Sequence, residues 1–445
     1  MMWGKLHKEH SLRGNRQMRI GIIGVGTVGG GVVEIIEKKR DEFHAKFGVL
    51  LEIAGVAAKT AEELAPFKAK GYKVFTNVEE LLEEESVSVI CELAGGYERP
   101  FKWIQKAIEH GKHIVTANKA LLAKHGHEIF PQAEKKGCHV LFEAAVGGGI
   151  PIIRSLQESL VGSNVESLSC IINGTCNYIL TRMSTEGLSF DDALKDAQKL
   201  GFAEADPSFD IDGIDSAHKT AILASLCSGS FVDFEKIHVS GIRDIAAQDI
   251  QLIQELGGVV RLLGLYNKVG DKVDVRVHPC IVPVDHLLAG VKYVLNAVYL
   301  QCDNLGPTLQ TGAGAGRLPT ASAVVADLVS LARSVDSGHL EPLPMGWFQK
   351  DNSANLVSIG ETEARYYFRF VTKDNYGVLA KLTGILGDNE ISIESILQKN
   401  TKNREKVDIV VITESAQEAS VQRALAKIDT LPEISEKSRM LRFLE

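Results

Sequence analysis

The chain has 445 residues, too many for one hydrophobic core, and at roughly 150 residues per domain it should form about three. Its composition, 45% hydrophobic and 24% charged, is that of an ordinary globular protein. A formal charge of −8 lacks the basic footprint that phosphate backbones attract, and no apolar run reaches the roughly 18 residues that span a bilayer, so neither nucleic acid nor membrane is an expected partner.

Residues 1–17, MMWGKLHKEHSLRGNRQ, are polar and basic and lack the apolar stretch of a signal peptide, so a disordered leader and a cytoplasmic protein are expected. MRIGIIGVGTVGGGVVEIIEKKRDEF (18–43) then reads as strand, glycine turn and helix. LEIAGVAAK (51–59) and SVSVICELAGG (86–96) read as further strands, and HIVTA as a fourth between two helices. This alternation predicts a doubly wound parallel sheet over 18–140. Over 141–318 strands such as HVLFEAAV and VESLSCIIN mix with helices near 176–186 and 189–200, which predicts a mixed α+β domain. PTASAVVADLVSLARSV (319–335) reads as an amphipathic helix, in a segment (319–345) expected to pack back on the first domain. Residues 346–362 read as a linker, and 363–445 as a separate ferredoxin-like βαββαβ module. The seven cysteines, Cys91, Cys138, Cys170, Cys176, Cys227, Cys280 and Cys302, form no C-x-x-C pair and read as free thiols in a reducing compartment.

Gly24-Val25-Gly26-Thr27-Val28-Gly29 fits the dinucleotide fingerprint between a strand and a helix. The first glycine allows the tight turn, the second lets backbone approach a pyrophosphate, and the third lets helix and strand pack closely. The second strand ends Ala57-Ala58-Lys59, without the acid that accepts from an NAD ribose. A lysine there favours the 2′-phosphate of NADP, with NAD as the alternative.

GFAEADPSFDIDGIDSAHK (201–219) gathers five carboxylates before one lysine. Ser189 opens a helix that closes near Gly201, so the acids fall in a loop between two helices. Asp215 and Lys219, four apart, share one face of the second helix. The spacing fails the calcium-loop register. It leaves two readings open: a solvated acidic loop, or acids that hold an ammonium group beside a lysine that moves a proton.

AQKLGFAEADPSFDIDGIDSAHK (197–219) resembles the signature of homoserine dehydrogenases, and GVGTVG, TANKALLA, EAAVGGGIPII, NGTCNYIL and GAGAGRLPTASAVVADL resemble its companions in the same order. The resemblance covers about 18–350, and DNYGVLAKL resembles the first turn of an ACT domain. It implies an NAD(P)-dependent oxidoreductase that interconverts L-homoserine and L-aspartate 4-semialdehyde in threonine, methionine and isoleucine biosynthesis. It implies a Rossmann domain, a catalytic and dimerisation domain over 141–318 and a C-terminal ACT domain. Lys219 becomes the acid/base and Lys119 a second cation near substrate and cofactor. Thr175, Glu204, Asp210 and Asp215 become substrate ligands. Gly95, Thr116, Lys119, Gly201, Gly314 and Gly316 join the fingerprint as cofactor contacts. Glu143, Val146, Gly148 and Ile150 become ligands of a monovalent cation such as sodium. Asp374, Gly377, Val378 and Leu379 mark an effector turn, with threonine the candidate effector and a homodimer or homotetramer the expected assembly. A dehydrogenase of another small amino or hydroxy acid, and a non-catalytic amino-acid sensor, are the competing readings.

Overall fold

The computed structural model describes residues 16–335, 348, 352–398 and 406–445. Residues 1–15 of the expected leader, 336–345 of the returning segment, 346, 347 and 349–351 of the linker, and the charged tip at 399–405 lie outside the described residues. The chain divides into two compact units. One comprises residues up to Val165, Ala221–Glu235 and Asn296–Ala354; the other comprises Glu166–Thr220, Lys236–Leu295 and Asn355–Glu445.

The first unit begins with β1 (Arg16–Ile23), α1 (Thr27–Phe47), β2 (Val49–Ala57), α2 (Ala61–Ala69), β3 (Val74–Phe75) and α3 (Val78–Glu83). It continues with β4 (Val89–Glu92), α4 (Glu98–Glu109), β5 (His113–Thr116), α5 (Lys119–Lys135) and β6 (Val140–Leu141). The sheet order is β3-β2-β1-β4-β5-β6 with every pair parallel, the doubly wound order of dinucleotide-binding folds. Side chains alternate across it. Ile22 and Cys91 face a core with Val32 and Ile36 of α1 and with Val324 and Leu328 of the helix Arg317–Val335. Ile23 and Ile90 face the opposite core, with Leu81, Ile104 and Ile129 of α3, α4 and α5. A Cβ on Gly31 would lie 2.8 Å from Arg317 O and 3.0 Å from the Ala321 Cβ, so α1 and the helix Arg317–Val335 meet there almost backbone to backbone.

Three boundaries differ from the sequence reading. Arg16 and Gln17, assigned to the leader, already pair with Val49 and Leu50. The strand read over 86–96 is only Val89–Glu92, because paired positive-φ glycines, Gly95 and Gly96, turn the chain away. HVLFEAAV is strand only at Val140–Leu141 and then coils into a short turn, Glu143–Ala145. In the expected linker, Phe348 is buried edge-on against Phe130 (centroids 4.8 Å apart) and Phe231 (5.6 Å).

The second unit is built on an antiparallel hairpin, Gly258–Val269 with Lys272–Pro283, flanked by Val165–Ile171. The C-terminal segment supplies strands Tyr366–Thr372, Ile393–Gln398, Val407–Thr413 and Arg439–Phe443 and helices Val378–Asp388 and Glu418–Ile428. Its strands lie in the order fourth, first, third, second, the expected ferredoxin-like arrangement. It does not stand apart as a separate module. Its last strand pairs parallel with the hairpin at Cys280↔Arg442 and Ile281↔Phe443, using backbone groups that leave no mark on the side-chain pattern. A buried fork reinforces the join: Arg369 Nε and Nη2 donate to Asp249 Oδ1 (2.6 Å) and Oδ2 (3.0 Å), and the Tyr367 hydroxyl donates to the same carboxylate at 2.9 Å.

Candidate active site

In the first unit, each glycine of the fingerprint meets its own constraint. Gly24 has φ 87°, and a Cβ there would lie 2.8 Å from Ala94 backbone atoms. A Cβ on Gly29 would lie 2.0 Å from Gly24 O, whereas one on Gly26 would meet nothing within 4 Å and would project into the cleft. Gly26 caps α1 without a side-chain hydrogen bond, and the first turn, with exposed Thr27 and half-buried Val28, carries no acid. That end of α1 is therefore open to an anion. The adjoining cleft has a volume of about 760 Å³ and is lined by Gly24, Gly26, Lys59, Gly95, Arg99 and Lys102 among others. Its two acids are engaged elsewhere: Glu63 accepts from Thr60 N–H in a capping box at 3.2 Å, and Glu79 pairs with Lys106 at 2.7 Å. Among the described residues, Lys59, Arg99 and Lys102 have no ion-pair partner, which leaves this edge positive.

Thr116 stands beneath the cleft, not in it. It has no exposed surface, and its hydroxyl donates to Glu92 Oε2 at 2.9 Å, so the expected cofactor contact is corrected to a support of the strand exits. Glu92, whose carboxyl burial pushes up, also accepts from Ala94 N–H at 3.0 Å. Asn118 donates to Gly96 O at 2.6 Å and caps α5 through Leu121 N–H at 3.1 Å. Lys119 is the first residue of α5 and is half-buried. Glu92 and Asn118 were not singled out from sequence; an acid ending an otherwise apolar strand was the available signal.

In the second unit the acidic loop divides by partner. Asp206 accepts from Ser208 N–H at 3.1 Å, and Asp212 forks onto Arg243, so these two hold the loop itself. Asp210 and Asp215 turn inward. Lys219, 9% exposed, donates through Nζ to Asp215 Oδ2 at 2.7 Å and to Ile172 O at 3.0 Å. Asn173 donates through Nδ2 to Asp210 Oδ1 at 2.7 Å and to Asp215 Oδ2 at 2.9 Å, and its Oδ1 caps the helix Gly174–Glu186 through Cys176 N–H at 2.8 Å. Burial and then the neighbouring Asp215 raise the Asp210 carboxyl above its ordinary range. Burial, with both carboxylates adding to it, pushes the Cys176 thiol well up, so that sulfur is no nucleophile here. Thr175 spends its hydroxyl on Phe202 O at 2.6 Å. Glu204 is exposed; its backbone carbonyl accepts from Gln198 at 3.1 Å, and among the described residues its carboxylate has no partner. Gly201, at φ 76°, provides the left-handed turn that ends the helix Phe190–Lys199.

The loop expected to hold a monovalent cation lies in the first unit. Glu143 Oε1 and Oε2 accept from the N–H groups of Ile153 and Arg154, both at 2.9 Å, and Ile150 O accepts from Ile152 N–H at 2.8 Å. Glu143 N–H donates to buried Asp327 at 2.9 Å, and Arg154 Nη2 pairs with Asp327 at 3.0 Å. Two buried carboxylates thus lie beside one guanidinium, which pairs with Asp327, while Glu143 takes the backbone N–H of the same arginine. Burial, then the Glu143 charge, pushes Asp327 up to about 7, and burial also raises Glu143. A cluster short of positive charge, beside oxygens that keep further lone pairs, fits a hard monovalent cation. Gly148 and Gly314 owe their identity to packing: a Cβ on Gly148 would meet Gly314 O at 2.5 Å, and one on Gly314 would meet the Asn296 amide at 2.0 Å. Gly316 is exposed at the start of the helix Arg317–Val335.

At the expected effector turn, Gly377 caps its helix at φ 84°, while Asp374 and Leu379 are exposed. Val378 is corrected: its side chain is buried in the core with Leu382 and Leu386 and presents only backbone. Among the described residues, no cluster of three or more His, Cys, Asp or Glu is arranged to hold a metal, and all seven cysteines are free. No described helix is long and apolar enough to cross a membrane.

Residues 24–143 match the family model "Homoserine dehydrogenase, NAD binding domain", residues 151–329 match "Homoserine dehydrogenase", and residues 357–433 match "ACT domain". The chain is 40% identical over 432 residues to a homoserine dehydrogenase of Neisseria gonorrhoeae, covering 96% of this chain and 98% of that protein. It is also 40% identical over 428 residues to one of Pseudomonas aeruginosa, covering 94% and 97%. The crystal structure of a homoserine dehydrogenase from Thiobacillus denitrificans superposes with a TM-score of 0.91 at 40% identity, over 96% of this chain and 98% of that one. A hyperthermophilic archaeal homoserine dehydrogenase in complex with NADPH superposes with a TM-score of 0.60 at 30% identity, over 71% of this chain and 97% of that one.

Proposed function

The chain belongs to the homoserine dehydrogenase family, an oxidoreductase family of amino-acid biosynthesis, and we propose that its chemistry is centred on Lys219 as the proton-transferring group. The observation that carries this is a buried ammonium at 2.7 Å from Asp215 and 3.0 Å from Ile172 O, in a loop whose other inward acid is held by Asn173. When bound, the nicotinamide supplies the hydride for aldehyde reduction or accepts it from the alcohol. Lys219 gives its proton to the aldehyde oxygen of L-aspartate 4-semialdehyde as the carbon is reduced. In reverse the neutral amine takes the hydroxyl proton of L-homoserine. Lys119 is the second cation of the reaction. The unpartnered Glu204 carboxylate, with Asp210, Asp215 and Thr175, orients the amino-acid end of the substrate, where an ammonium needs acceptors.

The cofactor reading is NADP before NAD. Gly24, Gly26, Thr27, Val28 and Gly29 would cradle the pyrophosphate, with Gly95 at the cleft wall, and Lys59 would meet the 2′-phosphate that no acid repels. Gly201 and Gly316, and Gly314 in addition to its packing role, would approach the cofactor. Glu143, Val146, Gly148 and Ile150 would hold a monovalent cation with a structural role. The turn at Asp374, Gly377, Val378 (through backbone) and Leu379 would receive an amino-acid effector, threonine being the first to test, in a cytoplasmic homo-oligomer. Titrating turnover with threonine, methionine and lysine tests the effector reading, and no response to any of them removes it. Following NADPH absorbance with L-aspartate 4-semialdehyde tests the catalytic reading, and turnover that survives Lys219→Ala unchanged removes it.

A further inference from the structure

We propose that Asn173 is a positioning residue of this active site, an amide whose two N–H groups hold Asp210 and Asp215 in fixed register with Lys219. The inference rests on the assignment of those three residues to catalysis and substrate binding.

Asn173 is 5% exposed, and both ends of its side chain are engaged. One amide nitrogen donates to Asp210 Oδ1 at 2.7 Å and to Asp215 Oδ2 at 2.9 Å. The second of these oxygens is the one that Lys219 Nζ reaches at 2.7 Å, so amide and ammonium converge on a single acceptor. The residue before it, Ile172, gives its carbonyl to the same ammonium at 3.0 Å. Two consecutive residues at the end of the strand Val165–Ile171 therefore touch every charged member of the cluster. Shifting this corner would move the lysine and both carboxylates together.

The chemistry of the position is narrow. A buried carboxylate, Asp215, and a half-buried one, Asp210, face one ammonium, and a neutral double donor reduces their repulsion without adding a charge that would compete for Lys219. The same side chain must also accept from Cys176 N–H at 2.8 Å to cap the helix Gly174–Glu186. Serine and aspartate can cap a helix, but neither donates two protons. Only a short primary amide performs both tasks at this length.

The two tasks separate experimentally. Asn173→Ser and Asn173→Asp both keep a capping acceptor and both lose the double donor, and Asn173→Asp adds a third carboxylate. We expect both variants to melt cooperatively. For L-homoserine, kcat/KM should fall about ten- to a hundredfold in Asn173→Ser and further in Asn173→Asp. The Asn173 donor favours the ionised form of Asp210, in concert with Lys219 and Thr175 and against the burial and the neighbouring Asp215. Its loss should therefore move the acid limb of the kcat/KM profile for L-aspartate 4-semialdehyde, the direction in which Lys219 enters protonated, to higher pH in Asn173→Ser, and the movement should vanish in an Asp210→Asn background. Wild-type kcat/KM in either variant, or a fall with the acid limb unmoved, overturns the proposal and leaves Asn173 a helix cap. Lys219→Ala runs in parallel: if it stays active, the site assignment itself is wrong and the Asn173 inference falls with it. If it is inactive while Asn173→Ser is normal, only the inference about Asn173 falls.

Discussion

Two places in this molecule set a pair of carboxylates near a single cation, and they are built for different ends. In the first unit, Glu143 and Asp327 share Arg154, and Glu143 spends both oxygens on the N–H groups of Ile153 and Arg154. In the second, Asp210 and Asp215 share Lys219, and a neutral amide stands where the first cluster has backbone. Guanidinium is permanently charged and fixed in a planar fork, whereas an ammonium is a compact charge that can part with its proton. The same count of charges therefore makes a brace in one place and a proton-handling site in the other.

The largest effect that could break this comparison lies at Asp215. Asp215→Asn keeps the shape but removes the charge that holds Lys219, and kcat for homoserine oxidation should fall about a hundredfold or more in a variant that still melts cooperatively. At the brace the order of effects should reverse. Arg154→Ala leaves two buried carboxylates without their guanidinium and should lower stability by about 2 kcal/mol in denaturant titration, a figure reduced because Arg154 is 30% exposed. Its KM for homoserine should stay within about threefold of wild type. A variant at Arg154 that abolished turnover while melting normally would erase the distinction.

A smaller effect belongs to the cofactor edge. Lys59→Ala should reduce the preference for NADP over NAD about tenfold, read as the ratio of kcat/KM values, because one exposed cation of three is lost from that wall. The smallest belongs to the acids that only hold the loop. Arg243→Ala removes an exposed partner of Asp212 and should leave turnover and melting unchanged, which separates the outward acids of Gly201–Lys219 from the inward pair.

What could be read from sequence followed local rules. The glycine loop, the strand–helix alternation and the i, i+4 pairing of Asp215 with Lys219 all depend on neighbours a few residues apart. Resemblance supplied the roles that spacing left open between a solvated loop and a site. Contacts across long chain separations were not legible. Asn173 lies 37 residues before Asp210, and although it opens the NGTCNYIL segment, nothing in that segment says which acids its amide meets. Arg369 and Asp249 are 120 residues apart, and neither stands out in its strand or helix. Thr116 stands at its strand exit and Val378 at its turn, as the motifs mark them, but a motif does not say which way a side chain turns, and both point into the protein. The join at Cys280↔Arg442 was invisible because it is made by backbone.

The central claim is that Lys219 carries the proton, and one measurement addresses it most directly. Wild type and Lys219→Ala are compared for NADPH oxidation with L-aspartate 4-semialdehyde, with NADPH binding and thermal melting recorded on the same samples. The account predicts a variant that melts cooperatively, binds NADPH as wild type does, and turns over at least a thousandfold more slowly, about the upper part of the range for losing a general acid. A folded, NADPH-binding variant that keeps wild-type turnover would contradict it, and Gly201–Lys219 would then be a loop that holds itself together and nothing more.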